Sequence, residues 1–430
     1  MKYFCIIFVF FSTFFSSCYK QDASKYQENN VSLSFSVVEQ SNGVLLMWGQ
    51  ASMSNFIEFI VTKNSVSTAP VGNVTELKSE SIFSRIKDRN TTSIIDSTLA
   101  LNSYYRLYIN QGGLLIASDE ILQKSKNYVL NSSSVNQLLV DYQKGNLYIL
   151  NSDQSVELVD LSKMELKTTY ENVLLPRSLS CSLGYDQDGN TEIYVPIVDQ
   201  IQVLDGEKFN LKKSISNTNF QTLINNTATD MNSNIYYSDE TVGILGGIFR
   251  YDSKTELITK INVCGDCRHY TFVMSRDGKR GIVGSLGAVA RYFTINDKNQ
   301  VNASVISQSI ISSTSSQLFV LAEKSPTLIV GNSGTIFNQS FSVQKNLINE
   351  VPLFLQSIFD QEENYIYAIG GLNKVIVKFE NKAGYNKLGS IFIKSSPRQI
   401  FIYDSSAFIL GNVFDPNTRI NKLIIEKVRL

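Results

Sequence analysis

The sequence predicts an all-β protein with a small β-sandwich followed by a larger array of repeated four-stranded sheets. Residues 31–122 consist of short segments rich in β-branched and aromatic residues, separated by Asn, Ser and Gly. Residues 127–430 repeat a strand motif with a period close to that of one four-stranded sheet. Hydrophobic residues make up 43% of the chain, including 25 Phe and 21 Tyr, which is typical of a globular protein.

The charge balance argues against several classes of partner. The 430 residues include 39 basic and 39 acidic side chains, so the net charge is zero. Nucleic acids and anionic membranes select clustered Lys and Arg, and a balanced chain gives no electrostatic reason to expect either surface. We therefore expect no nucleic-acid binding.

The first eighteen residues have the organisation of a secretory signal. Lys2 precedes an apolar run of about a dozen residues, shorter than the ~20 that a membrane-spanning helix needs. Ser16 and Ser17 then lead to Cys18, an ending that resembles the lipobox of bacterial lipoproteins. Phe15 stands where that family usually has Leu.

The lipobox resemblance implies how the chain is processed and where it resides. Residues 1–17 would be removed as the signal peptide, and Cys18 would be lipidated and anchored to the outer membrane of the cell envelope, facing the periplasm or the cell surface. The alternative is an ordinary signal peptide cut nearby. Residues 18–30 are polar and aperiodic, which predicts a flexible tether.

The segment 31–122 predicts a sandwich domain. Trp48 closes an early strand and Tyr105 begins a late one. The stretch resembles a fibronectin type III domain, which is an immunoglobulin-like sandwich. The resemblance implies that the Tyr105 hydroxyl bonds to an upstream backbone group and that Trp48 belongs to the core rather than to a sugar-binding platform. The predicted strands are VSLSFSVVEQ, GVLLMWGQ, FIEFIVTKN, TTSIID, SYYRLYINQGG and LIASDEIL.

The remaining cysteines do not form a disulfide framework. Beyond the signal and anchor, only Cys181, Cys264 and Cys267 are present. The spacing Cys264-Gly-Asp-Cys267 suits zinc, redox chemistry or a local disulfide. Structural zinc needs four ligands, and the chain adds only His269 to the pair. Redox pairs of the thioredoxin type begin a helix, whereas strands flank this pair, so we expect a local disulfide or two inert thiols.

An internal repeat organises residues 127–430. A hydrophobic strand recurs at a mean interval of about 43 residues, near the period of a four-stranded sheet in a radial array. In FVMSRDGKRGIVGS this strand follows a tight turn at Asp277-Gly278, a dipeptide that favours two-stranded hairpins. The central residues of the seven copies are Tyr148, Tyr194, Tyr236, Ile282, Ile329, Tyr367 and Phe408.

A second landmark supports the repeat. In three copies the next strand ends in Asp160, Asp205 and Asp252, followed by a polar turn and a further apolar strand. With the SRDGKR turn, these units resemble the blades of YVTN- and WD40-like propellers. The resemblance implies a seven-bladed β-propeller over residues 127–430, in which neighbouring sheets cover one another's faces.

The residue inventory limits the catalytic options. A Ser-His-Asp triad or a multi-histidine metal centre would have to use His269 alone. Residues 127–430 contain no Trp, unlike the propellers of sialidases and quinone-dependent dehydrogenases. A hydrolase resembling sugar lactonases remains the enzymatic alternative, because carboxylates in the channel mouth could supply acid–base chemistry. We expect no cofactor.

The stretch from Asp186 to Glu192 resembles part of a calcium loop. Oxygen donors alternate along it, but the position where such loops place a bidentate Glu lies near Ile197, which cannot bind calcium. We therefore expect a hairpin turn with solvated carboxylates and no metal.

Three arginines suggest a binding site. Arg177, Arg268 and Arg398 lie where innermost strands should begin, in three different blades. If they converge at one channel mouth, they would form a site for carboxylate or phosphate groups, which Arg binds through two hydrogen bonds. We thus expect a membrane-anchored lipoprotein whose propeller is a binding or scaffolding platform for protein or glycan partners of the envelope.

Overall fold

The regular secondary structure of the described residues is almost entirely β-strand, which confirms the predicted all-β class. Within the part of the chain that the structure describes, the only helix is a 3-10 turn at Leu347–Asn349, and no helix is long and apolar enough to span a membrane. The computed structural model describes residues 33–40, 43–68, 76–77, 80–98, 100–173, 180–197, 199–216, 223–240, 247–263, 270–285, 290–296, 300–307, 319–325, 328–330, 334–415 and 418–430.

The chain divides into two compact units. The first comprises residues 1–97 and 103–123, and the second comprises residues 98–102 and 124–430.

The described residues of the first unit form two antiparallel sheets. Alternate residues of the second strand are buried, which is the pattern of a strand with one face on the core. One sheet has the order β1 (Phe35–Gln40), β2 (Gly43–Trp48), β5 (Ser93–Asp96). The other has the order β4 (Ile82–Ile86), β3 (Phe56–Asn64), β6 (Ser103–Gln111), β7 (Leu114–Ala117), and β8 (Ile121–Gln123) pairs with β6.

Two aromatic residues of this unit were predicted to be structural. Trp48 is 6% exposed and its ring lies 5.5 Å from that of Phe59, which confirms its place in the core. The expected backbone acceptor for Tyr105 was wrong, because its hydroxyl donates to the carboxylate of Asp96. Lys63 also contacts Asp96, at 2.7 Å, so the buried carboxylate is paired with a cation as well.

The second unit is a succession of seven four-stranded antiparallel sheets among the described residues. In the first six sheets the strands pair in chain order, so each sheet is a simple meander. Sheet 1 comprises β10 (Val135–Asp141), β11 (Asn146–Asn151), β12 (Val156–Asp160) and β13 (Glu165–Tyr170); sheet 2 comprises β14 (Ser182–Tyr185), β15 (Thr191–Ile197), β16 (Gln200–Asp205) and β17 (Leu211–Ser216); sheet 3 comprises β18 (Leu223–Thr229), β19 (Ile235–Glu240), β20 (Gly247–Tyr251) and β21 (Ile258–Ile261); sheet 4 comprises β22 (Tyr270–Met274), β23 (Arg280–Ser285), β24 (Ala290–Ile295) and β25 (Val301–Ser307).

The later sheets follow the same plan. Sheet 5 comprises β26 (Phe319–Leu321), β27 (Leu328–Val330), β28 (Thr335–Phe337) and β29 (Val343–Asn346); sheet 6 comprises β30 (Phe354–Phe359), β31 (Tyr365–Gly370), β32 (Val375–Glu380) and β33 (Lys387–Phe392); sheet 7 comprises β34 (Ser396–Tyr403), β35 (Ser406–Asp415), β36 (Ile420–Arg429) and β9 (Tyr128–Val129). Sheet 7 therefore takes its fourth strand from the beginning of the unit.

The repeated hydrophobic strand is the second strand of each sheet, and its two faces pack against different neighbours. In β11, Tyr148 and Leu150 lie in one core cluster with residues of sheet 2, whereas Leu147 and Ile149 lie in another with residues of sheet 7. The first and last sheets therefore pack together. A strand covered on both faces must be apolar at every position, which explains why this segment carries the repeat signal.

The predicted hydrophobic–Asp landmark is confirmed, and the structure explains it. Asp160 and Asp205 end the third strand of their sheets and Asp252 directly follows it. Each Asp accepts, through its carboxylate, the N–H groups of the residues two and three positions later. Its carbonyl accepts the N–H of the fourth residue, which adopts a left-handed conformation. In such an Asx turn, the carboxylate and the carbonyl of the aspartate accept the backbone N–H groups of the residues that begin the hairpin. The three turns run from Asp160 to Met164, from Asp205 to Phe209 and from Asp252 to Glu256.

The closing strand β9 is fixed to sheet 1 as well as to sheet 7. Tyr128 pairs with Ile425 of β36 in the ladder. Its hydroxyl donates to the carboxylate of Glu157 in β12, which is fully buried. Successive four-stranded sheets that pack face to face, with the last completed by an early strand, form a β-propeller-like array.

Candidate binding site in the central cavity

The first strands of the sheets surround a cavity of about 540 Å³. Residues from six sheets line it; they belong to first strands or to the turns that follow them, apart from Cys181, which directly precedes β14. Leu138, Leu183 and Ile358 contribute apolar wall, and the turns supply polar groups at the mouth where the first strands end. This size and mixture of surfaces are typical of a ligand-binding pocket.

Two glutamines hold the wall of the cavity together. Each lies at a register shift in a first strand, where the side chain turns toward the next sheet. Gln137 accepts the Cys181 N–H at 2.8 Å and donates to the Cys181 carbonyl at 2.8 Å. Gln356 accepts the Ile400 N–H at 2.9 Å. These amides pair backbone groups at strand edges that would otherwise be unsatisfied.

Arg276 is the prominent charged group at the mouth. It is exposed in the turn after β22, and its guanidinium carbon lies 4.5 Å from the centre of the Tyr142 ring. Among the described residues, no carboxylate forms a salt bridge with it. Burial raises the pKa of Tyr142, while the neighbouring guanidinium opposes that rise, so the phenol stays neutral beneath the cation at physiological pH.

The backbone of Arg276 is held by two neighbouring turns. Its N–H donates to the Glu323 carboxylate at 2.7 Å, and its carbonyl accepts the Met231 N–H at 2.7 Å. Gly278 in the same turn has φ of 69°, and an added Cβ would lie 2.6 Å from an Asp230 carboxylate oxygen. The turn therefore requires glycine both for its left-handed conformation and for the close approach of sheet 3.

A second carboxylate extends this chain of turns. Glu363, which follows β30, accepts the N–H groups of Lys324 at 2.8 Å and Ser325 at 3.0 Å, and also that of Glu323. Burial raises the pKa of Glu323, and the nearby Asp277 adds to the effect, against the opposing influence of the hydrogen bond from Arg276 and the charge of Arg280. Glu323 and Glu363 also line a smaller cavity of about 150 Å³ next to Arg276.

Two further cavity residues have unusual polar groups. Cys181 is a buried free cysteine, and burial raises its thiol pKa to about 12, which keeps it protonated and unreactive. The Ser182 hydroxyl is buried and has no hydrogen-bond partner among the described residues.

The structure describes one of the three predicted site arginines. Arg398 is exposed on β34. With the Asn412 amide assigned so that its oxygen faces Arg398, the guanidinium donates two hydrogen bonds of 3.0 Å to that oxygen. It does not line the 540 Å³ cavity, although the residues from Gln399 onward do. Arg177 and Arg268 lie outside the described residues, so the arginine ring stays a prediction.

The predicted cysteine sites also stay untested. Cys18, Cys264 and Cys267 lie outside the described residues. Sequence reasoning missed Arg276, although the SRDGKR motif that contains it was recognised as a turn; nothing within the motif distinguishes this arginine from other turn residues.

The calcium-like stretch forms a turn with an internal cation. Asp186 accepts the N–H groups of Asp188 and Asn190, and Lys212 lies 2.8 Å from Asp186 and 2.7 Å from Glu192. Partial burial opposes ionisation of Asp186, but Lys212 and the turn donors outweigh it and lower its pKa to about 2. Within the described ranges, no group of three or more His, Cys, Asp or Glu side chains has the geometry of a metal site.

Comparisons with known proteins add little to this geometry. No protein-family model matches the chain, and no curated protein matches it in sequence. Among solved structures, the chain is similar to the β-propeller domain of Cps50 (Swd1) from Myceliophteria thermophila, with 10% sequence identity and a TM-score of 0.47. The match covers 70% of this chain and 99% of that domain. The architecture therefore rests on the strand pairing described above.

Proposed function

We propose that this chain is an exported, lipid-anchored binding protein in which a seven-bladed β-propeller holds a protein or ligand at the mouth of its central cavity. The observation that carries the binding proposal is the exposed, stacked guanidinium of Arg276 at the mouth of a 540 Å³ cavity. Seven four-stranded sheets, with the first and last packed together, support the closed ring.

The proposed anchor depends on the sequence of residues 1–18. Lipidation of Cys18 would hold the chain at the outer membrane, and the three- and five-stranded sheets of the first unit support a fibronectin III-like spacer. We expect Cys18→Ala to move the protein from the membrane fraction to the soluble envelope fraction. Retention of that variant in the membrane fraction would argue against the anchor.

The geometry favours binding over hydrolysis. Carboxylates do line the cavities, as a hydrolase would require, but they support turns. Both oxygens of Glu363 accept backbone N–H groups, Asp230 accepts those of Asn232 and Asn234, and Asp360 accepts that of Tyr365. A carboxylate oxygen that already accepts backbone N–H groups is less available to bind a substrate or a water molecule.

A pair of matched substitutions in sheet 3 tests the location of the binding site. Met231, in the turn after the first strand, is 68% exposed and lines the cavity mouth, whereas Leu257, in the outer hairpin, is 66% exposed. We expect Met231→Glu to abolish capture of an envelope partner by the propeller and Leu257→Glu to preserve it, since only the first adds charge at the mouth. Equal capture by both variants would contradict a site at the mouth.

A further inference from the structure

We propose that the central cavity binds an amphipathic carboxylate, whose carboxylate group pairs with Arg276 and whose apolar body lies between the first strands. This inference rests on the proposed binding function and specifies the chemistry of its ligand.

The guanidinium of Arg276 is preorganised for an anion. Its guanidinium carbon lies 4.5 Å from the centre of the Tyr142 ring. The N–H groups of a guanidinium match a carboxylate through two parallel hydrogen bonds. Stacking fixes the side chain before the ligand arrives, so less conformational entropy is lost on binding.

Arg280, the first residue of β23, has a carboxylate partner and carbonyl partners that Arg276 lacks among the described residues. Arg280 lies 3.8 Å from the Glu323 carboxylate and donates to the carbonyl groups of Glu323 and Ser325. Arg276 forms no salt bridge with any described residue. The carboxylates nearest the mouth are engaged elsewhere, because Glu323 accepts the backbone N–H of Arg276 and Asp230 accepts those of its own turn.

The rest of the cavity suits an apolar body. Leu138, Leu183 and Ile358 line it and are each half-buried, so they present apolar surface to the opening. Removal of this surface from water by an apolar ligand would favour binding.

Calorimetric titration of the mature full-length protein tests the proposal with three acids, each matched with its amide. The probes are octanoate, phenylbutyrate and a tripeptide that ends in leucine with a free carboxylate. We expect at least one acid to bind about tenfold or more tightly than its amide, which corresponds to about 1.4 kcal/mol. Binding of the tripeptide alone would identify a protein C-terminus as the source of the carboxylate, and binding of the other acids alone would identify a free small acid.

Two arginine variants provide the control. Arg276→Gln should remove the preference for acid over amide, and its exposed position means that the thermal unfolding temperature should not change. Arg419→Gln, at an exposed arginine in the hairpin between β35 and β36 and outside the cavity lining, should keep the preference. The proposal is overturned if no acid binds, if acids and amides bind equally, or if Arg419→Gln alone abolishes the preference. If the acids fail while partner capture remains sensitive to Met231→Glu, the ligand chemistry is wrong and the binding function stands.

Discussion

Replacement of Glu157 by glutamine tests whether a buried charge holds the closing strand of the ring. Its carboxylate accepts hydrogen bonds from the Tyr128 hydroxyl, the Asn131 N–H at 3.2 Å and the Asn151 side-chain amide at 3.0 Å. All three partners are donors, so the amide nitrogen of a glutamine would face a donor and leave it unsatisfied. Hydrogen bonds to a charged group contribute about 1.5–3 kcal/mol each and are not additive, so we expect a loss of about 3 kcal/mol in the free energy of unfolding.

The single tryptophan makes the measurement specific to the second unit. Trp48 lies in the first unit, so its fluorescence reports unfolding there, whereas most of the β-sheet circular dichroism comes from the second unit. During urea unfolding, Glu157→Gln should lower the midpoint of the dichroism transition and leave the fluorescence transition in place. Tyr128→Phe, which removes one of the three donors, should have about half the effect.

A surface substitution of the same type serves as the control. Glu362 has a side chain that is 71% exposed and pairs with Lys324 at 2.5 Å. Glu362→Gln should change stability by less than about 1 kcal/mol, the usual range for exposed pairs. If Glu157→Gln shifts the dichroism transition no more than this control, the buried carboxylate does not secure the ring.

Three further predictions follow from the turns and the cavity wall. In urea unfolding, Gly278→Ala should destabilise the protein by about 1–3 kcal/mol more than Gly189→Ala. Both glycines have positive φ, but only at Gly278 would an added Cβ meet other atoms. Equal losses of stability in the two variants would contradict the close approach at Gly278. The folded-state pKa of Asp186 is about 2, below its ordinary value of 3.8. Its charged form therefore contributes at most about 2 kcal/mol to the free energy of unfolding, fully above pH 4 and less as the pH falls toward 2. Lys212→Met should remove most of this pH dependence of stability. Cys181 should resist alkylation at neutral pH until the protein is unfolded, because burial raises its pKa to about 12, and rapid labelling of the native protein would refute this.

The repeat was predictable because burial dictates it. A strand such as β11, covered on both faces, must be hydrophobic at every position, and the aspartates that start each outer hairpin must accept specific N–H groups. Both constraints act on single short segments, so they are visible in the sequence. The partner of Tyr105 was not predictable, because the choice between a backbone group and the Asp96 carboxylate depends on how two separate strands pack.

The candidate site was harder to predict for a related reason. The sequence directed attention to arginines at the beginnings of the first strands, whereas Arg276 lies in the turn that follows a first strand. Arg276 acquires its role through Tyr142 of sheet 1 and Glu323 of sheet 5, neither of which is near it in the chain. A site assembled from turns of several sheets has no local signature in any one of them.

The pairing of Tyr128 with Ile425 joins residues about 300 positions apart, which has a consequence for how the protein reaches its native state. Contacts between such distant residues form slowly, because the entropy of a very long loop is lost before they are made. Before β36 has been synthesised and folded, β35 and β9 have no strand between them in sheet 7. The unpaired strand edges of sheets 1 and 7 are then exposed and can associate with other chains. Under the proposed export, the N-terminal strand β9 would emerge long before β36, and a chaperone that shields strand edges during this interval would raise the yield of folded protein.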